Sequence, residues 1–201
     1  MEDRGSEKRA RLIEAANKIV YRQGFNQTTL ADIARESEVP VGNIYYYFKT
    51  KEDLGRALIE RRADFYRDLI AAWDQFPDPK KRLHALIGAV EGQREALASS
   101  GCPIGSLCQE LHKDGGALAD KAASLMASLL AWVEKQFREL GKGTESADLA
   151  LHLVTVLQGA SLLTHAFNQP DLVLRETTRL KKWLDALVGD RRRNRTTGKK
   201  T

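Results

Sequence analysis

Apolar residues recur at the spacing of a helix through nearly the whole chain, and this restricts the fold more than any other feature. Leu12, Ile13, Ala16, Ile19 and Val20 return every three to four positions, the period that lines one face of an α-helix. No alternation of β-branched residues recurs at regular intervals, so no strand signal competes. Ala, Leu, Glu, Lys and Arg dominate, and these side chains lose little rotamer freedom in a helix. Proline occupies only 5 of 201 positions, so helices are seldom interrupted. The pattern predicts an all-α fold.

Turn residues divide that pattern into elements. A first helix is predicted from Arg9 to Gln23, ended by Gly24, which tolerates the left-handed conformation at a helix C-terminus. Phe25 follows as a core anchor. Thr28 and Thr29 are N-cap candidates, and Thr29-x-x-Asp32 has capping-box spacing with Asp in place of the usual Glu or Gln. Leu30, Ile33 and Ala34 form the inner face of a short second helix. Glu36 to Pro40 reads as a tight turn, Val41 to Phe48 as a third helix, and Lys49-Thr50 as a break. Lys51 opens a fourth helix reaching Trp73, and Pro77 and Pro79 end that segment. Further helical patterns cover 80–99, 103–113, 116–140, 145–167 and 171–188, nine helices in all.

The net charge of +5 and pI of 9.2 suggest a nucleic-acid partner, but the location of the charge weakens that signal. Arg191, Arg192, Arg193, Arg195, Lys199 and Lys200 all fall in the last eleven residues. Removing these six leaves the rest near −1, so 191–201 reads as a basic disordered tail, with an auxiliary phosphate-binding arm as the alternative. The N-terminus MEDRGSEKRARL has no apolar signal core, and the apolar stretches fall short of the roughly 18 residues of a membrane span. Two cysteines cannot build a multi-bridge framework. A reduced cytoplasmic protein with no membrane partner is expected. His84, His112, His152 and His165 lack metal spacing, Ser106 and Ser161 lack an elbow motif, and no phosphate-cradling glycine loop occurs. No metal site, cofactor or catalytic group is predicted.

Function becomes visible in Leu30–Lys51. Two short helices about a tight turn make a helix-turn-helix, whose second helix fits the major groove of double-stranded DNA. That helix carries Asn43, Tyr45, Tyr46, Tyr47 and Lys49 within seven residues. Ile44 and Phe48 share a face and can pack on Leu30 and Ile33, leaving the tyrosines to fan over the remaining surface. Phenol hydroxyls donate to phosphate oxygens. Gly42 lets the backbone approach closely, and Lys51 places a cation and a helix N-terminus beside a flanking phosphate. The plainer alternative is that the tyrosines fill a core, although three in succession cannot all face inward.

Gln23-Gly24-Phe25, Thr28-Thr29-Leu30-Ala31-Asp32-Ile33-Ala34 and the run from Val39-Pro40-Val41-Gly42 through Lys51-Glu52-Asp53-Leu54 resemble the N-terminal domain of TetR-family regulators. The resemblance covers about a quarter of the chain, and the length and nine-helix pattern agree with it. It implies a three-helix DNA-binding domain at 1–54 and a helical ligand-binding and dimerisation domain at 55–190. It places Thr28 or Thr29, Tyr45, Tyr47 and Lys51 at phosphates, and Val41, Gly42, Asn43 and Tyr46 at bases. It also implies a homodimeric repressor that leaves a palindromic operator when a small-molecule effector, still unknown, binds. Two positions depart from the family pattern. Glu38 stands where a turn glycine is common, at a left-handed cost of about 1–2 kcal/mol, and Pro40 replaces a frequent N-cap serine.

The C-terminal part offers two candidate features. Val173, Thr177, Leu180, Leu184 and Leu187, with Trp183 beside them, and Leu149, Leu153, Val156, Gly159, Ala160 and Leu163 give the last two helices apolar stripes. They fit either a four-helix dimer interface or packing within the chain. Pro103 suits a first helical position, making Cys102 an N-cap where the positive helix end favours a thiolate. Cys108 shares a stripe with Ile104, Leu107 and Leu111 and reads as a buried thiol. The two lie about 9 Å apart along the axis, which disfavours a disulfide. Some TetR-family members that sense electrophiles or oxidants carry a similar glycine-cysteine segment, so the resemblance implies effector or redox sensing at Cys102, against the plainer reading of Cys102 as a structural residue. The alternatives are a thiol-dependent enzyme using Cys102, for which no base is evident, and an activator on the same scaffold.

Overall fold

The structure, a computed structural model, describes the backbone of residues 2–197 and the side chains of 5–113 and 115–189. The described residues contain ten α-helices and one 3-10 turn, and no strand occurs among them. In order they are α1 (Glu2–Gln23), α2 (Leu30–Ser37), α3 (Val41–Tyr47), α4 (Lys51–Asp74), α5 (Pro79–Gly92), α6 (Arg94–Ser100), α7 (Pro103–Asp114), α8 (Ala117–Glu139), α9 (Ser146–Phe167) and α10 (Pro170–Thr197).

Three departures from the expected boundaries have local causes. α1 begins at Glu2 rather than Arg9, because the residues before Arg9 carry no apolar period that could announce a helix. The stretch expected as one helix over 80–99 is two: Gln93 sits at φ −96°, ψ 12°, and its N–H turns back to the Val90 carbonyl. Gly92, a poor helix former, precedes that break. The segment expected as a disordered tail from 191 starts as helix, since α10 continues to Thr197. Arginine, frequent in this stretch of the sequence, is a good helix former. Residues 198–201 lie outside the described residues.

Contacts group the chain into two compact units, Met1–Leu69 with Cys102–Ala127, and Ile70–Gly101 with Ser128–Thr201. In the first, Leu12, Ala16 and Ile19 of α1 meet Ile33 and Ala34 of α2, Ile44 of α3, Phe48, and Leu54 and Ala57 of α4. Ile44 and Phe48, at 0% and 2% exposure, close this core as their four-residue spacing requires. Burial of a side chain of that size contributes about 1.5–3 kcal/mol. A second cluster joins Val20, Phe25, Leu58 and Ile59 to Ile104, Leu107 and Leu111 of α7 and Ala122 and Leu125 of α8. Gly55 allows this approach, because a Cβ there would lie 2.9 Å from the Phe25 ring.

The α2–α3 turn is a Schellman motif. Glu38 is left-handed at φ 56°, the Val39 N–H reaches the Ala34 carbonyl at 3.2 Å, and the Glu38 N–H reaches that of Arg35 at 3.4 Å. Both sequence departures are thus accommodated: Glu38 adopts the conformation a glycine would, and Pro40 starts α3 without a side-chain cap.

In the second unit α10 packs on α5 and α9, and α6 packs on α9. Val173, Thr177, Leu180 and Leu184 are all buried within the chain. These four residues of the α10 stripe are covered within the chain, where α10 packs on α5 and α9, while Trp183 and Leu187 are half-buried. Lys181–Glu91 at 2.5 Å and Asp185 with Lys80 at 2.8 Å fasten α10 to α5. α9 is different. Leu153 and Ala160 face inward, while Leu151, Leu162, Leu163 and Phe167 are each about half exposed or more. α9 is apolar enough to pass for a membrane span by length and composition, and only 39% of its apolar window is buried.

Candidate nucleic-acid interface

Capping positions the two helices of the motif. Thr29 starts α2: its hydroxyl accepts the Asp32 N–H at 3.1 Å, and the Asp32 carboxylate accepts the Thr29 N–H at 3.1 Å. The Thr29 hydrogen bonds, and then Arg35, hold the Asp32 carboxyl below the usual carboxylate range. α4 starts the same way, with Thr50 and Asp53 exchanging hydrogen bonds of 3.0 and 3.2 Å. That second box was overlooked in the sequence, although Thr50-x-x-Asp53 repeats the spacing of Thr29-x-x-Asp32.

With Ile44 and Phe48 turned inward, α3 presents Val41, Gly42, Asn43, Tyr45 and Tyr46 to solvent, Tyr46 at 78% exposure. A Cβ on Gly42 would meet nothing within 4 Å, so the backbone there is open to close approach. Tyr47 is half-buried against the core and meets Tyr46 edge-on at 5.1 Å. The tyrosines therefore divide between surface and core, as three successive helical residues must. Arg9 of α1 lies 5.3 Å from the centre of the Phe48 ring.

Two expected phosphate contacts look different in the fold. Thr28 is only 2% exposed and its hydroxyl donates to the Gly24 carbonyl at 2.6 Å. As a surface contact it is corrected: the turn after α1 needs this donor inside, and the exposed threonine is Thr29. Lys51 is half-buried, its ammonium donates to the Asn26 carbonyl at 3.1 Å, and it lies 4.8 Å from the centre of the Phe25 ring. One of its three N–H groups is engaged there, which leaves two for another acceptor.

Cys102 caps α7 as its neighbours Gly101 and Pro103 suggested, with its Sγ accepting the Gly105 N–H at 3.4 Å. Both cysteines are free and half-buried. Cys108 donates to the Ala122 carbonyl at 3.2 Å, and burial, then the nearby Cys102, pushes its thiol up. Arg62, which no sequence pattern singled out, is 5% exposed; it donates to Asn17 at 3.0 Å and to the Pro103 carbonyl. Burial lowers its pKa and raises those of Tyr21 and Tyr66 beside it. No cluster that could hold a metal ion occurs among the described residues.

An N-terminal three-helix core that bares the second helix of a helix-turn-helix defines the class of this unit: a helix-turn-helix domain. Residues 12–58 match the family model described as bacterial regulatory proteins, tetR family. The transcriptional regulator AcuR of Cereibacter sphaeroides is 33% identical over 135 residues, which are 64% of this chain and 60% of AcuR. The transcriptional repressor DhaR of a Mycobacterium species is 30% identical over 105 residues, 51% of this chain and 52% of DhaR. The chain thus spans between half and two thirds of these relatives' length. A crystal structure of a TetR-family regulator from Streptomyces coelicolor superposes with a TM-score of 0.79 at 21% identity, covering 92% of this chain and 96% of that one, which shows the shared fold. Residues 12–58 thus resemble the DNA-binding domain of TetR-family regulators, and the chain shares the fold of a solved member of that family.

Proposed function

We propose that this protein is a homodimeric repressor that reads a roughly palindromic operator in double-stranded DNA with α3 and releases it when an effector acts. The exposed face of α3 carries the reading: this seven-residue helix turns Asn43, Tyr45 and Tyr46 to solvent beside an open Gly42. Asn43 and Tyr46, with Val41 and Gly42 at close approach, read or border bases. Thr29, Tyr45, Tyr47 and Lys51 hold phosphates. Residues 1–54 carry these contacts, and 55–190 carry dimerisation and the response to effector.

The half-exposed apolar face of α9 supports the dimer. A helix this apolar and this little buried within its own chain matches a symmetric interface with a second copy, and Gly159 leaves room for close approach. Effector binding, or modification of Cys102, changes the spacing of the two reading heads so that they no longer match the operator half-sites. This reading places the protein in the cytoplasm, where thiols stay reduced.

Selection of bound sites from random duplexes, repeated with soft electrophiles and with aromatic ligands present, tests the whole reading. A palindromic consensus lost on addition of one of these supports it. Lys51→Ala should weaken binding to all sequences alike and lower the salt slope by about one unit, whereas Asn43→Ala should alter the sequence chosen. Lys51→Ala changing the preferred sequence at an unchanged salt slope contradicts the assigned roles.

A further inference from the structure

We propose that Glu110 of α7 is a positioning residue for DNA binding, holding the turn after α1 so that Lys51 faces phosphate; the inference rests on the reading of Lys51 as a phosphate contact. Glu110 lies 84 residues from the turn it touches, and its carboxylate accepts the Asn26 N–H at 3.1 Å. It also fills the space beside Gly24, where a Cβ would collide with the carboxylate. Gly24 has φ +88°, so a side chain there would be strained as well as crowded. The turn is therefore shaped to receive Glu110.

The other side of the same turn holds Lys51. Its ammonium donates to the Asn26 carbonyl and packs over Phe25, so Asn26 is gripped from α7 through its N–H and from α4 through its carbonyl. A lysine has four rotatable bonds, and an anchored carbonyl limits where its charge can point. When Glu110 lets go, the Asn26 N–H loses its hold from α7 and the carbonyl that receives the Lys51 ammonium is less firmly placed. α7 is also the helix capped by Cys102, two turns before Glu110, which links the thiol end of that helix to the phosphate-facing turn.

Charge makes the role separable from a surface effect. Glu110 is an anion beside a turn that approaches DNA, so neutralising it should by electrostatics alone strengthen binding to phosphate. A positioning role has the opposite sign. The test uses the full chain and fluorescence anisotropy on a mixed-sequence duplex, titrated between about 50 and 200 mM KCl. Glu110→Ala is expected to weaken binding about three- to tenfold despite losing a negative charge. Glu110→Gln keeps an acceptor oxygen and should bind at least as tightly as the parent. In a Lys51→Ala background, Glu110→Ala should add no further loss. Hydrogen exchange provides a second readout: the Asn26 amide should lose protection in Glu110→Ala and retain it in Glu110→Gln. Binding by Glu110→Ala that equals or exceeds the parent, losses that multiply with that of Lys51→Ala, or an Asn26 amide still protected overturns the inference. A salt slope unchanged by Lys51→Ala alone overturns the phosphate reading itself and is seen independently of every Glu110 variant.

Discussion

Glu38→Gly should stabilise the protein, because Glu38 ends α2 in the left-handed region that a side chain enters at a cost. Its φ of 56° and ψ of 28° place the Cβ against the backbone, a cost of about 1–2 kcal/mol that glycine does not bear. Glycine has more freedom in the unfolded chain, which returns about 0.4–1 kcal/mol of that gain. Among the described residues the ion pair lost is Arg11–Glu38 at 3.7 Å with the glutamate side chain 87% exposed, and such a pair contributes at most a few tenths of a kcal/mol. The Arg11 hydrogen bond to the Ser37 carbonyl at 2.6 Å is untouched. The expected net gain is about 0.5–1 kcal/mol, or about 1–4 °C in Tm for a protein of this size. All three tryptophans, Trp73, Trp132 and Trp183, lie in the second unit, so their fluorescence is a poor reporter of this turn. Far-UV circular dichroism and hydrogen exchange at Ala34–Val39 are the suitable measurements. Glu38→Ala keeps the Cβ and should leave stability near that of the parent. An equal gain from Glu38→Ala would mean that charge, and not backbone conformation, is responsible, and a loss from Glu38→Gly would refute the argument outright.

Three further outcomes are expected. The depressed Asp32 pKa makes its cap a stabilising element that is full above the unfolded carboxylate value of about 3.9 and is lost as pH falls through the folded value. Asp32→Asn should therefore reduce the loss of stability on acidification, read as urea midpoints against pH; a profile parallel to the parent's would contradict the cap's charge. Leu162→Asp, at a position 57% exposed on α9, should convert a dimer to a monomer in sedimentation while leaving helix content intact, and an unaffected dimer would locate the interface elsewhere. Maleimide should modify Cys102 ahead of Cys108 near neutral pH, since burial pushes the Cys108 thiol up and its Sγ is engaged with Ala122. Mass spectrometry finding Cys108 modified first would end the case for Cys102 as the responsive thiol.

Interactions that close within one helical turn were readable from the residues in order. The inward pair Ile44 and Phe48 is four residues apart, the Thr29–Asp32 box three, and the Cys102 cap needs only its neighbours; each is settled by helix geometry before any tertiary contact forms. The left-handed residue at Glu38 could be suspected for the same reason, although only the folded turn shows its Schellman hydrogen bonds. What periodicity could not decide is which partner an apolar or polar face meets. The stripes of α9 and α10 look alike in sequence, yet α10 is covered by α5 and α9 while part of α9 is left bare. Thr28 and Thr29 are chemically the same side chain, and one is buried because the turn after α1 requires its hydroxyl. Arg62 with Asn17 and Pro103, and Glu110 with Asn26, join residues 41 to 84 positions apart. Pairings of that separation depend on how the helices of the first unit pack, which no local spacing encodes, so they emerge only when the chain has folded.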